Sequence, residues 1–175
     1  MRILKIPELK FLKIALKKNP KANFNFEYLE KSNAIATLIL NKSETKTLLV
    51  NQYRPGAKTN LFEIPAGLID GDEKPIETLY REVREETGFE KEDYEIIYDS
   101  KNGFYVSPGY TTEKLFLYII RLKSDNISPK ELKLDEGEDL FSKWFPLDEA
   151  FKVSIDMKTT FILNIYLNLK GVAAI

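Results

Sequence analysis

The chain has 175 residues, 43% hydrophobic and 12% aromatic, with a formal net charge of −1 and a pI near 5.7. That length and apolar fraction suit one domain over residues 1–175, and the near-neutral charge gives no general pull toward nucleic acid or an anionic membrane surface. Cysteine and histidine are both absent, which excludes disulfides, thiolate or imidazole metal sites and every nucleophilic mechanism that runs through a histidine, so acid, base and metal chemistry falls on Asp, Glu, Lys and Tyr.

The N-terminal stretch "MRILKIPELKFLKIALKK" is broken by charges every few residues, unlike a signal peptide. No later stretch supplies the twenty or so apolar residues of a membrane span, so the expectation is a soluble cytoplasmic protein. In "FNFEYLE", Phe24, Phe26 and Tyr28 alternate with polar residues, which is strand periodicity, and "AIATLIL" reads as a buried strand. After the turn "NKSETK", "TLLVNQYR" and "LFEIPAG" read as two further strands. A helix is predicted from Pro75, a good first-turn residue, to Gly88, a good C-terminal cap, with Ile76, Leu79, Tyr80 and Val83 as its apolar stripe.

Strands follow in "YEIIYDS", around "GFYV", in "EKLFLYIIRLK" and in "SKWF". Between Ser124 and Leu140 lies a long polar segment that ends in "DEGEDL"; loops of this length are usually functional or disordered. The final element starts at Asp156 as N-cap and carries Phe161, Ile162, Ile165, Tyr166 and Leu169 at helical spacing. Strands first, one helix among them and helices at the end predict an α/β fold, a mixed β-sheet sandwiched between helices.

Within the predicted helix, "REVREETGF" places Glu82, Glu85 and Glu86 at i, i+3 and i+4, where like charges repel by roughly 0.2 to 0.5 kcal/mol per pair. A solvated acidic face is one reading. The other is a cluster that holds hard divalent cations, since Mg²⁺ and Mn²⁺ prefer oxygen ligands shared with substrate phosphates. The acidic-face reading leaves Gly67, Glu73, Arg81 and Gly88 at their fixed offsets without explanation.

"GLIDGDEKPIETLYREVREETGF", from Gly67 to Phe89, resembles the signature of the Nudix hydrolases, a match that arises by chance on the order of once in a billion windows. "NQYRPG", "EIPAG", "SPGYTTEK" and "IDMKT" extend the resemblance to the subgroup that hydrolyses ADP-ribose and related nucleotide sugars. It implies a Nudix fold with a small N-terminal β region, residues 1–33, that exchanges between the subunits of a homodimer. It also implies Mg²⁺ or Mn²⁺ as cofactor, held by Glu82, Glu86 and the Ala66 carbonyl, with Glu85 as a ligand or a carboxylate close behind.

In the acidic loop, the resemblance makes Glu136 the base that activates water and Glu138 a further ligand, with Glu85 the next candidate for the base. Arg81 is expected to pair with Glu73 or a neighbouring carboxylate. Arg54, Pro108 and Glu113 are the implied substrate-binding residues. Arg54 is one of five arginines against twenty-one lysines, and its planar fork suits a phosphate; for Pro108 the alternative is an ordinary turn.

The implied substrate is a small nucleotide sugar, with no nucleic acid and no membrane as partner. ADP-ribose would give AMP and ribose 5-phosphate. GDP-mannose or a UDP-sugar is the alternative substrate, and a nucleoside triphosphatase or a non-catalytic ADP-ribose sensor are the more distant readings.

Overall fold

The computed structural model describes residues 2–4, 7, 9, 12–134 and 140–171. The chain opens with an antiparallel sheet of β1 (Arg2–Leu4), β2 (Lys13–Lys18) and β3 (Asn25–Glu30), in that order. Among its described residues only Ala15 is buried, while Phe24 and Phe26 meet edge to face on an exposed surface. This sheet joins the rest of the molecule through backbone bonds from Leu29 N–H to the Tyr110 carbonyl (2.7 Å) and from Thr112 N–H to the Leu29 carbonyl (3.0 Å).

The main sheet comprises β4 (Ala34–Leu40), β5 (Lys46–Arg54), β6 (Thr59–Glu63), β7 (Ala66–Leu68), β8 (Tyr94–Asp99), β9 (Phe104–Tyr105), β10 (Lys114–Leu122) and β11 (Leu140–Pro146). Helix α1 (Pro75–Thr87) follows β7, and α2 (Leu147–Val153) and α3 (Met157–Leu169) follow β11. The central path runs β11-β5-β4-β10-β8, with β4 and β10 parallel and the other neighbours antiparallel.

Every residue of β4 is buried, and its alternating side chains serve two cores. Ile35 and Ile39 pack with Leu79 and Val83 of α1, whereas Ala36, Leu38 and Leu40 pack with Ala150 of α2 and Ile162 of α3. Each fully buried side chain of this size contributes about 1.5 to 3 kcal/mol, and covering both faces is what removes β4 from water. The fold is the expected α/β arrangement, a mixed sheet between α1 on one face and α2 and α3 on the other. The seven-residue α2 was not visible in the sequence, since a helix of two turns has too few positions to display a period.

The feature that positions the site is a split in the sheet. Strands β4 and β5 pair only at Ile39–Leu48 and Leu40–Thr47. Beyond that point β5 takes β6 as its partner along Val50–Arg54, and β4 takes β7 along Ala34–Ala36. The single strand expected from "LFEIPAG" is therefore two, broken at Ile64 and Pro65, because its halves serve different neighbours. Pro65 has no N–H to donate to either ladder, but its carbonyl accepts from Thr37 N–H at 2.9 Å.

Helix α1 begins and ends as its sequence predicts. Pro75 occupies the first turn, and the Glu77 carboxylate accepts the Lys74 N–H at 2.9 Å. At the far end Gly88 has φ 76°, the left-handed conformation that favours glycine, and donates its N–H to the Arg84 carbonyl. A Cβ there would lie 2.1 Å from the Lys130 carbonyl oxygen. The bare glycine lets the polar segment after β10 cross the helix end, fastened by Lys130 N–H to the Gly88 carbonyl (2.9 Å) and Lys133 N–H to the Glu85 carbonyl (3.0 Å).

Candidate active site

Residues on both sides of the split sheet, together with α1 and the start of α3, enclose a cleft of about 920 Å³. Its acidic wall comes from α1. Glu82 is 9% exposed and Glu86 4%, so the helix face that reads as wet in the sequence is largely buried. Glu82 and Glu85 line the cleft beside Ala66 and Gly67, and Glu86 accepts the Ala66 N–H at 3.2 Å. Gly67 is required by contact rather than by conformation, since a Cβ on it would fall 1.8 Å from the Glu82 carboxyl carbon.

Arg81 offsets the repulsion within the cluster. Its Nη1 donates to Glu82 (2.6 Å) and Glu85 (3.2 Å), and its Nη2 to the Leu68 carbonyl (2.9 Å) and Glu73 (3.1 Å). The expected pairing with Glu73 is present, and hydrogen bonding from Arg81 holds the Glu73 carboxyl below its usual range. One guanidinium thus fastens the α1 carboxylates to the β7 backbone.

Oxygen donors available here to a hard divalent cation are the Glu82, Glu85 and Glu86 carboxylates and the Ala66 carbonyl, an all-oxygen set of the kind Mg²⁺ and Mn²⁺ prefer. The missing Cβ of Gly67 leaves the space that the Glu82 carboxylate occupies against this backbone. Among the described residues no three acidic groups already stand at metal-enclosing spacing.

The opposite character comes from β5 and α3. Arg54 and Lys158 line the same cleft, and both pair with Glu63, a β6 carboxylate only 1% exposed. Arg54 donates from Nε (2.5 Å) and Nη2 (3.0 Å), so one edge of the guanidinium is taken by Glu63. Lys158 also contacts Asp156 at 3.1 Å. Glu63 and Lys158 stand in "EIPAG" and "IDMKT", yet nothing in the sequence signals that residues 95 positions apart share a contact.

Glu113 lines the cleft and is paired with Lys31 at 2.8 Å. Pro108 does not reach it. It sits in a Ser107–Tyr110 turn and lines a separate pocket of about 580 Å³ against Phe26 and Tyr28 of the N-terminal sheet, because the loop that carries it is drawn over by the Leu29 backbone bonds. Pro108 thus lies in a pocket other than that of Arg54 and the α1 carboxylates, with Tyr105 lining both. Glu136 and Glu138 lie outside the described residues; the segment ahead of them is fastened at Lys133 to the Glu85 carbonyl. No helix among the described residues is long and apolar enough to cross a membrane.

A family model for the NUDIX domain matches residues 31–164, a span that contains the split sheet, α1 and the Arg54–Glu63–Lys158 group. The chain belongs to the NUDIX domain family. Among curated relatives, this Nudix protein is 30% identical to an ADP-ribose pyrophosphatase of Bacillus subtilis over 82% of its own length and 76% of the relative's. It is 30% identical to a GDP-mannose pyrophosphatase of Yersinia enterocolitica over 74% and 68%. It is also 34% identical to a methanol dehydrogenase activator of Bacillus methanolicus, where the match covers 72% of this chain and 64% of the relative. It is also 29% identical to an ADP-ribose pyrophosphatase of Mycobacterium tuberculosis, where the match covers 71% of this chain and 57% of the relative.

Proposed function

We propose that this protein hydrolyses the diphosphate bond of a small nucleotide sugar, with ADP-ribose as the first candidate: water adds across the P–O–P bridge and AMP and ribose 5-phosphate leave. The observation that carries this reading is one cleft lined by both the α1 carboxylates Glu82 and Glu85 and the cations Arg54 and Lys158. A diphosphate needs both, positive groups to grip its oxygens and hard-oxygen donors to hold the cation that neutralises them. Mg²⁺ or Mn²⁺ held by Glu82, Glu86, Glu85 and the Ala66 carbonyl would supply charge neutralisation and acidify water. The chain's own part is to grip and orient. Arg81 keeps Glu82 and Glu85 aligned against β7, Arg54 binds phosphate, and Glu136, with Glu85 next in line, takes the proton from the attacking water. In the absence of any histidine a carboxylate must fill that role.

GDP-mannose is the second candidate, supported by the Yersinia relative, because the acidic helix and Arg54 address the diphosphate and not the base. A homodimer is part of the same reading. The sheet β1-β2-β3 buries only Ala15 among its described residues and leaves Ile3, Leu12, Phe24 and Phe26 exposed, so it lacks a core of its own.

Incubation with Mg²⁺ and a panel of ADP-ribose, GDP-mannose, UDP-glucose, NADH and nucleoside triphosphates, with product identification, tests the activity. Cleavage of ADP-ribose that stops in excess EDTA is expected. Full turnover in EDTA, or turnover of triphosphates alone, overturns the reading. An active monomer in sedimentation at micromolar concentration removes the dimer.

A further inference from the structure

The Nudix helix does not account for "IDMKT", whose residues form a closed chain of contacts on the other side of the cleft. Lys158 Nζ contacts Glu63 Oε2 and lies 3.1 Å from Asp156 Oδ2. Asp156 accepts both the N–H (2.9 Å) and the O–H (2.7 Å) of Thr159. Thr159 Oγ1 in turn accepts the N–H of Ile64 at 2.9 Å, and Ile64 follows Glu63. The first turn of α3 is thereby stitched to the end of β6, and the stitch ends on the carboxylate that grips Arg54.

Charge explains why a second cation is there. Glu63 is essentially buried, and a buried carboxylate facing one guanidinium would pair with it completely and draw it inward. Lys158, itself only 17% exposed in its side chain, approaches the same carboxylate from α3, so Glu63 is shared between two cations. The Arg54 side chain stays 40% exposed, and Glu63 uses only Nε and one Nη2 donor. Of the five N–H donors of the guanidinium, the Nη1 edge carries no bond among the described residues and is available to an anion in the cleft. Glu86 and Asp156 also act on Arg54 at longer range.

We propose that Lys158 is a positioning residue for phosphate binding: by balancing Glu63 it holds Arg54 with its outer edge turned to the diphosphate of the substrate. This rests on the nucleotide-sugar reading above and extends it to α3. Removing Lys158 leaves Glu63 to Arg54 alone, so the loss falls on ground-state binding and not on the reacting bond.

The test compares wild type, Lys158→Met, Lys158→Arg and the double variant Glu63→Gln with Lys158→Met, which removes the buried carboxylate's charge together with its partner and guards against a single variant that does not fold. The Kd for ADP-ribose and for GDP-mannose is measured by calorimetry in EDTA, and KM and kcat with Mg²⁺. Lys158→Met is expected to weaken Kd and raise KM roughly tenfold or more with kcat within about threefold, Lys158→Arg to recover most of the loss, and the double variant to recover much of it as well, because the neutral amide no longer draws Arg54 inward. Unchanged Kd and KM in a folded Lys158→Met overturns the proposal, as does a double variant weakened roughly tenfold or more, a fall in kcat at constant KM, or a wild type that binds neither sugar. A wild type that binds but cleaves neither sugar, with Kd still dependent on Lys158, sinks the hydrolase reading and leaves the role of Lys158 standing.

Discussion

Substituting Gly67→Ala isolates the position of one carboxylate from the stability of the fold. The new Cβ would stand 1.8 Å from both Cδ and Oε1 of Glu82 and 2.4 Å from Oε2. Ordinary contact begins near 3.4 Å, so the carboxylate must retreat by roughly 1.5 Å. It can do so, because it is the far end of a flexible side chain, and Gly67 carries no left-handed φ that an alanine would strain. The stability cost is then close to one charge-assisted hydrogen bond, the 2.6 Å contact with Arg81, about 1 to 2 kcal/mol, partly offset by the lower chain entropy of alanine over glycine.

For a chain of this size that lowers Tm by only about 2 to 6 °C. A catalytic group displaced by more than 1 Å costs on the order of 100-fold in rate. The assay is kcat/KM for ADP-ribose against Mg²⁺ concentration, with Tm by calorimetry on the same preparation. A folded variant with near-normal kcat/KM would falsify the premise that Glu82 must sit against the β7 backbone. A fall in Tm beyond 10 °C would show that the backbone yields and not the side chain.

Glu44 gives a pH signature remote from the cleft. Burial alone would push its carboxyl up, but hydrogen bonds from Lys170, Tyr166 and Arg121 outweigh that and hold it at about 2, against an ordinary value of 4.5. The folded pKa is depressed, so its stabilisation is complete above about pH 4.5 and is lost as pH falls toward 2. Allowing for solvent screening of the half-exposed Lys170 and Arg121, it is worth about 2 kcal/mol at neutral pH. Urea titrations should show Glu44→Gln less stable at pH 7 and the gap to wild type closing near pH 2; a constant gap refutes the assignment. Gly88→Ala combines a φ of 76° with a Cβ 2.1 Å from a backbone oxygen, so a loss of about 3 kcal/mol or more is expected, and a Tm within 2 °C of wild type contradicts it. Glu136→Gln should lower kcat by two to four orders of magnitude with KM little changed, whereas Glu138→Gln should raise the Mg²⁺ needed for half-maximal rate and respond to added metal. The opposite pattern exchanges their roles.

The acidic helix was legible because its geometry is local. With 3.6 residues per turn, Glu82, Glu85 and Glu86 must share one side of α1, Pro75 and Gly88 mark its ends by backbone chemistry alone, and Arg81 is within reach of the same turn wherever the helix packs. The buried run of β4 was equally plain, since seven apolar or small residues in succession need cover on both faces. What the sequence could not decide is which distant segments meet. That β4 and β5 pair at two positions and then part, dividing "LFEIPAG" between two partners, follows from competition among strands for hydrogen bonds. The same holds for Glu63, which sits on β6 while Lys158 arrives from α3, and for Pro108, whose loop is bonded to the N-terminal sheet at Leu29 and lines a pocket there. Side-chain period and capping act within a few residues, whereas these contacts exist only once the sheet has closed around its two cores and brought separate parts of the chain together.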